Sequence, residues 1–532
     1  MRAMTSGALL LLATASLAAP DDRRPLETRM VGGASAIQVR LARGIPAFAR
    51  FGWVSPPAES TTAARIVELA GSGMNLALPA WQDSGRVADN LARLDFAAAS
   101  GMRALVYDGR FERFLDVSVE SPEGQALLDS IAATYRDHPG FAGYYLGDEP
   151  PASEFALLGA LHRALRARDP DHPAWNNLLP PYAFATRDAW VAYVRAYLDT
   201  TGAAVLCDDE YDFLTSGDRG EFVANAATLA ELARERGIPF WSIVLVIQHL
   251  QYRALTDAEL SWQASMLLAY GARGVGFFTY WTPAPDAFFQ WQEGLVRWDG
   301  TRSHWYATVR DLNAKLAVAG GALSRLTWFV TRHSGSVPAG AAAFAPDAWA
   351  LAVRGRAALG EFADSAGTRY LLVANADSSS ARTIALTVPN AGAVDALDLA
   401  LDQWNSLTTT PAPSGVTVDV ALGPGEFALL RLRGAWSAAP AAASPRLAAS
   451  PNPATGEVAL VLGDVRDQGR IEILDAGGRR VWSRAVAPGS AAFRWRGERD
   501  AGGVTRPGLY FVRAEDARGV TVTRLSWLGP AR

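Results

Sequence analysis

Two adjacent carboxylates close an aromatic run at Gly143-Tyr144-Tyr145-Leu146-Gly147-Asp148-Glu149-Pro150. Tyr-Tyr-Leu favours an extended strand, and Pro150 cannot continue a central one. A carboxylic acid with a like charge beside it, partly covered by aromatic rings, has its pKa pushed toward neutrality, as a general acid requires. Glu149 is therefore the candidate proton donor, with Asp148 at its side. The competing reading is a helix cap, because Pro151–Ser153 leads into a helical pattern and acids favour helix N-termini. Acid–base chemistry of this kind needs a second carboxyl. Asp208, Asp209 and Glu210 stand together at the end of another apolar run. Alternation puts 207, 209 and 211 on one face and 208 and 210 on the other, which does not decide the inward face; a plain solvent-facing acidic loop stays open. Asp108, after Tyr107, is a third candidate.

Other chemistries lose their residues. The chain has one lysine, Lys315, within the helix-like Leu312-Asn313-Ala314-Lys315-Leu316, which discards Schiff-base and pyridoxal readings. One cysteine, Cys207, makes no disulfide framework and no thiolate metal cluster. His138, His162, His172, His249, His304 and His333 do not pair at zinc-hydrolase spacing, and no G-x-S-x-G or phosphate-binding G-x-x-x-x-G-K-[ST] occurs. No cofactor is expected. A net charge of −4 suggests no nucleic-acid partner.

The elements that must position these acids follow from periodicity. Strand-like runs at Ala47–Val54, Met74–Pro79, Ala104–Asp108, Gly143–Gly147, Ala174–Leu179, Ala203–Asp208, Pro239–Ile247 and Val275–Tyr280 alternate with helical patterns. Eight such units over residues 45–320 predict a (β/α)8 TIM barrel, whose chemistry lies at the strands' C-terminal ends. A doubly wound sheet would bring a Gly-rich first turn, and Gly52-Trp53-Val54-Ser55-Pro56 is not one. Residues 322–434 carry short alternating strands and predict an antiparallel β-sandwich. Residues 435–449 are Ala/Pro/Ser-rich, a linker by composition, and 450–532 form a further β unit. Residues 1–19, with a positive start, a short apolar core and small residues before the cut, read as a secretory signal peptide. No later run is apolar enough to span a membrane.

Three stretches resemble known families. Gly143 to Pro151, in its barrel order, resembles the clan of barrel glycosidases whose acid/base glutamate closes the fourth strand in Asn-Glu-Pro; here Asp148 stands for Asn and Glu149 for the glutamate. Leu268-Ala269-Tyr270-Gly271-Ala272-Arg273-Gly274 into Phe278-Thr279-Tyr280-Trp281 resembles secreted hydrolases related to β-galactosidase-like barrels, and Val205–Tyr211 looks like their Ser-x-Asp-x-Tyr sixth strand, matching Asp209 and Tyr211. Ser450-Pro451-Asn452-Pro453, Ile473-Leu474-Asp475, Arg479-Arg480-Val481 and Pro507–Val512 closely resemble the Ig-like C-terminal modules of exported bacterial proteins, of flagellar-hook-capping or type IX sorting type. One departure stands out: the clan's nucleophilic glutamate ends the seventh strand, where this chain has Gln248 and His249.

The resemblance implies an exported glycoside hydrolase of a Gram-negative bacterium, secreted or at the cell surface, with Glu149 and Asp209 catalytic and the C-terminal module engaging secretion machinery. The carbohydrate would meet Asp148, Trp53, Asp108, Asn176, Tyr211, Tyr280 and Trp281. Aromatic rings stack on the apolar face of a sugar, and Trp81, Tyr107, Tyr182 and Trp291 also fall near strand ends; packing is the alternative for each. Asn176 and Asn177 end the fifth strand and could bond sugar hydroxyls or satisfy backbone. The rival to an enzyme is a carbohydrate-binding surface protein on a degenerate barrel.

Overall fold

The computed structural model describes residues 28–31, 34–80, 83–434, 446–465, 468–475, 478–516 and 519–530. The expected signal peptide, most of the linker and Trp81 lie outside the described residues. A short antiparallel hairpin, β1 (Thr28–Val31) and β2 (Ala34–Ile37), precedes the barrel. The barrel strands are β3 (Ala49–Trp53), β4 (Leu76–Ala77), β5 (Arg103–Val106), β6 (Phe141–Asp148), β7 (Ala174–Asn177), β8 (Leu206–Glu210), β9 (Phe240–Leu245) and β10 (Gly274–Phe278). All neighbours pair in parallel, in the order β7-β6-β5-β4-β3-β10-β9-β8. A parallel bridge between Leu178 and Asp208 joins the two ends into a ring. The eight-stranded barrel expected from the alternation is the fold observed.

Eight helices alternate with or follow these strands: α1 (Ala63–Gly71), α2 (Val87–Ala99), α3 (Pro122–Tyr135), α4 (Phe155–Arg168), α5 (Arg187–Thr201), α6 (Phe222–Arg236), α7 (Asp257–Ala269) and α8 (His304–Leu323). Their starts are written locally. Thr62, Ser121, Thr186 and Thr256 each accept a backbone N–H of the first turn, and Thr256 with Glu259 forms a capping box. The barrel interior is filled by rings: Phe51 meets Trp175 and Trp241 at centroid distances of 6.3 and 5.5 Å.

Residues 327–433 form sheets of seven and four strands around a core that includes Leu371, Val373, Ile384, Leu386, Leu430 and Leu432. This mainly antiparallel unit is joined to the barrel through α7 and α8. Ser261 and Ser265 donate to the Gly425 carbonyl at 3.3 and 2.7 Å. Lys315, the lone lysine, pairs with Glu426 at 2.8 Å and is thus committed to this junction. Residues 446–527 form sheets of three and four antiparallel strands around Trp482, Trp495 and Trp527.

The fourth barrel strand, β6, is the irregular one. Its register shifts against β5 between Ala104 and Leu105, and against β7 between Tyr145 and Asp148. The first shift sits at Gly143, with φ +155°, where an added Cβ would stand 2.3 Å from the Pro173 carbonyl oxygen. The second contains Gly147, with φ +121°. A bulge of this kind inserts a residue and re-aims the side chains after it. Strict alternation would put Tyr145 and Asp148 on opposite faces, yet both line one cavity. Gly143→Ala should therefore force β6 away from β7 and cost about 1–3 kcal/mol. Calorimetry of the barrel transition tests this against Gly321→Ala in α8, where nothing lies within 4 Å and the transition should hold or rise.

Candidate active site

β6, β7 and β8 bring three carboxyls together at their C-terminal ends. Glu149 follows β6 with φ +45°, a left-handed backbone that a non-glycine residue adopts at a cost. Its N–H donates to the Asn177 carbonyl at 2.9 Å, tying it to the end of β7. The carboxyls of Glu149 and Asp209 hydrogen-bond to each other. Such a bond needs a proton on one of them. Asp209 is buried, 6% exposed, and its pKa is driven well up, first by burial and then by the charges of Glu149 and Asp148. Burial also raises Glu149, while the hydrogen bond from Asp209 acts in the opposite sense. The resting proton therefore lies on Asp209, and Glu149 accepts.

Asn177 holds the third acid in place. Its Nδ2 donates to Asp209 Oδ1 at 2.8 Å and to Asp148 Oδ1 at 3.1 Å. The two aspartates are thus at most twice a hydrogen-bond length apart, a limit that brackets the ~5–5.5 Å spacing of retaining carboxyl pairs. The low-dielectric walls around it, then the Glu149 charge, raise Asp148 to about 7, although its side chain stays open to the cavity. Burial and neighbouring acids lead the causes of these shifts, with no arginine or lysine among the main ones.

Asp148 opens on a cavity of about 240 Å³ walled by Trp53, Tyr107 and Tyr145, with Leu78, Pro79 and Asp83 completing it. Trp53 and Tyr145 lie 6.0 Å apart, and Tyr145 and Tyr107 meet edge-on at 6.5 Å. Asp83 is bound to Arg93 at 2.5 Å. On the other flank of the acids, Tyr211 stacks on Phe278 at 5.5 Å and lies in the field of Asp209.

The structure gathers Glu149, Asp209, Asp148, Trp53 and Tyr211 around one mouth and turns other candidates elsewhere. Asp108 is fully buried; Arg110 grips both its oxygens, at 2.9 and 2.7 Å, and Tyr135 donates to it at 2.6 Å. It anchors the loop after β5 instead of facing a ligand. Asn176 points to the helix layer, where its Oδ1 meets His162 and the Tyr197 hydroxyl at 3.2 Å each; Asn177, one residue on, takes the place by the acids. Tyr280 packs against Gly52 and lies in the field of Glu68 and Tyr306, on α1 and α8. Trp281 lies beneath Arg65, 5.2 Å away. Neither reaches the acids, because the chain beyond β10 turns toward α1.

Asp208 settles the parity left open in β8: Asn225 of α6 and Ser242 of β9 donate to it at 2.8 and 3.2 Å, so it faces outward and Asp209 inward. Beyond β9, His249 sits among Tyr252, Trp291 and Phe278 with centroids 4.8, 4.8 and 5.4 Å away. An aromatic cluster thus occupies the end of the seventh strand. Tyr145 was masked in the sequence by its place inside a strand; the bulge that brings it and Asp148 to one side is signalled only by Gly147. Among the described residues, no group of three or more His, Cys, Asp or Glu could hold a metal ion, and no helix is long and apolar enough to cross a membrane.

No protein-family model matches the chain, and no curated protein matches it. Solved structures are similar in fold. A β-galactosidase from the psychrophilic Marinomonas ef1 is 12% identical over 52% of this chain and 62% of its own, with a TM-score of 0.39. A glycoside hydrolase family 5 protein from Bacteroides vulgatus is 13% identical over 73% and 90%, with a TM-score of 0.48. Xylanase 10B from Thermotoga petrophila is 11% identical over 51% and 94%, with a TM-score of 0.38. The chain spans under two thirds of the Marinomonas enzyme's length. At such identities the likeness is one of fold alone.

The raised pKa of Asp148 has a stability consequence. Below the ordinary carboxylate range, native and unfolded chains both hold the proton. Between that range and about 7 the native state keeps a proton the unfolded chain releases, so this group's contribution falls as pH rises. Asp148→Asn should raise the thermal transition clearly at about pH 8 and little at about pH 4.5. Calorimetry at both values decides; an equal change at each would refute the assignment.

Proposed function

We propose that this chain is an exported glycoside hydrolase cleaving O-glycosidic bonds of an oligo- or polysaccharide at the C-terminal mouth of its barrel. The observation that carries this reading is the gathering of Asp148, Glu149 and Asp209 around Asn177 in one mouth, beside the aromatic-walled cavity. Glycoside hydrolysis needs one carboxyl that gives a proton to the leaving oxygen and another that supports attack at the anomeric carbon. Glu149, half-buried and next to the cavity-lining Asp148, is the donor. Asp209 acts through it, holding the resting proton and passing it across their hydrogen bond. Asp148, the acid open to the cavity, is the nucleophile: its carboxylate attacks the anomeric carbon as the C–O bond breaks, and water, giving its proton to the now deprotonated Glu149, then releases the sugar from Asp148. Trp53, Tyr107 and Tyr145 supply the stacking faces for the sugar.

Substitution separates these roles. Glu149→Gln should lower turnover of alkyl glycosides ~10²–10⁴-fold and spare aryl glycosides whose phenol leaves without protonation. Asp148→Asn should fail on both. Asp209→Asn removes the carboxyl that holds the resting proton, so turnover of alkyl glycosides should fall while aryl glycosides are spared. Native-level turnover by Glu149→Gln on every substrate would sink the reading.

A second reading, a saccharide-binding protein without catalysis, is favoured by the His249 cluster where a seventh-strand carboxylate would stand. Its mark is tryptophan quenching by saccharides that the native protein never cleaves. Residues 450–532 we infer to be a sorting or attachment module, on the resemblance of their motifs. Their removal should preserve turnover and release the protein from the cell; a truncated chain still held at the surface would refute this.

A further inference from the structure

Arg219 lies in the loop between β8 and α6, on the flank of the mouth opposite the Trp53 cavity. Its Nε donates to the Tyr211 carbonyl at 3.2 Å. Its guanidinium carbon sits 4.2 Å from the centre of the Tyr182 ring and 6.0 Å from that of Tyr252. Tyr182 lies in the field of Asp209 and of Tyr252. The guanidinium is thus one ring away from the acid pair. Two aromatic faces fix its plane and leave its edge open.

Arginines elsewhere near the mouth are spent. Arg93 holds Asp83, Arg110 holds Asp108, and Arg253 holds Asp218 and Glu259. Arg219, half-buried, makes no ion pair among the described residues, and no hydrogen bond of its terminal nitrogens is found there. Glu210 and Asp212 lie in its field, but neither forms an ion pair with it among the described residues.

We propose that Arg219 receives the carboxylate of a uronic-acid unit, and that the saccharide this mouth takes is acidic. A guanidinium edge offers two parallel N–H groups that match a carboxylate as no ammonium does. The charge on the Glu149–Asp209 pair, carried by Glu149, repels an anionic group elsewhere in the mouth, so one arginine without an ion pair fixes both where the charge sits and which way the chain runs. For turnover this rests on the hydrolytic reading; for binding it stands alone.

The test uses the full chain and tetrasaccharides of galacturonate, mannuronate and glucuronate, each beside its carboxyl-reduced neutral counterpart. Binding is read by tryptophan fluorescence and cleavage by product length. At least one uronate should bind ~10–100-fold more tightly than its reduced partner, the scale of one charge-assisted bidentate contact. Arg219→Gln should erase that preference while leaving affinity for the reduced partner unchanged, and Arg219→Lys, which keeps the charge and loses the fork, should fall between. Equal binding within all three pairs would overturn the proposal, as would a preference that survives Arg219→Gln. Arg219-dependent binding without cleavage would refute hydrolysis and uphold the acidic ligand.

Discussion

Two carboxyls that touch must share a proton, and the contact between Glu149 and Asp209 sets the terms for everything around it. Water would dissolve such a contact by solvating both charges. Here the mouth withholds that solvation: Asp209 is buried, and aromatic rings stand on both flanks. The cost falls on the barrel, which must hold acids in forms they would abandon on unfolding. Acids that would be more stable as amides, at the open end of a ring of strands, are what functional selection leaves when it works against stability.

The means of holding them are covalently cheap. Glycine at 147 permits a bulge, the bulge swings Asp148 to the side of Tyr145, and Glu149 enters the left-handed region just beyond. The Asn177 amide then binds two acids with one nitrogen, and its carbonyl takes the Glu149 N–H. Adjacent strands β6 and β7 therefore determine the site jointly, and β8 completes it. The sandwich behind the barrel, tied on by Ser265 and Lys315, touches none of these acids.

Much of this was legible from residue order because strand–helix alternation reflects burial, which averages over many residues. The acids at the ends of β6 and β8 were visible for the same reason: charge that interrupts an apolar strand needs a destination. What failed to transfer was direction. Alternation assigns faces by counting, and one inserted residue reverses every face beyond it. That is why Tyr145 and Asp148 share a cavity although three residues separate them. Asn176 and Asn177 show the same sensitivity, since neighbours on one strand divide between the helix layer and the acids. Past the end of β10 no ladder fixes the face at all, and Tyr280 and Trp281 turn to α1 and α8. Asp108 illustrates another limit: its partners, Arg110 and Tyr135, include one that lies a helix away.

Exposure, finally, divides labour among acids that composition treats alike. A group that attacks a substrate, or activates water against it, must be reachable; a group that stores a proton is better hidden, because burial is what raises its pKa. Asp209 meets the second condition and Asp148 the first, while Glu149 is half-buried and hydrogen-bonded to one of them. The aromatic cluster around His249 then ceases to be a mere defect. With aromatic rings at the end of the seventh strand, the β6 bulge that sets Asp148 beside Glu149 is the feature that brings a further carboxyl to this mouth.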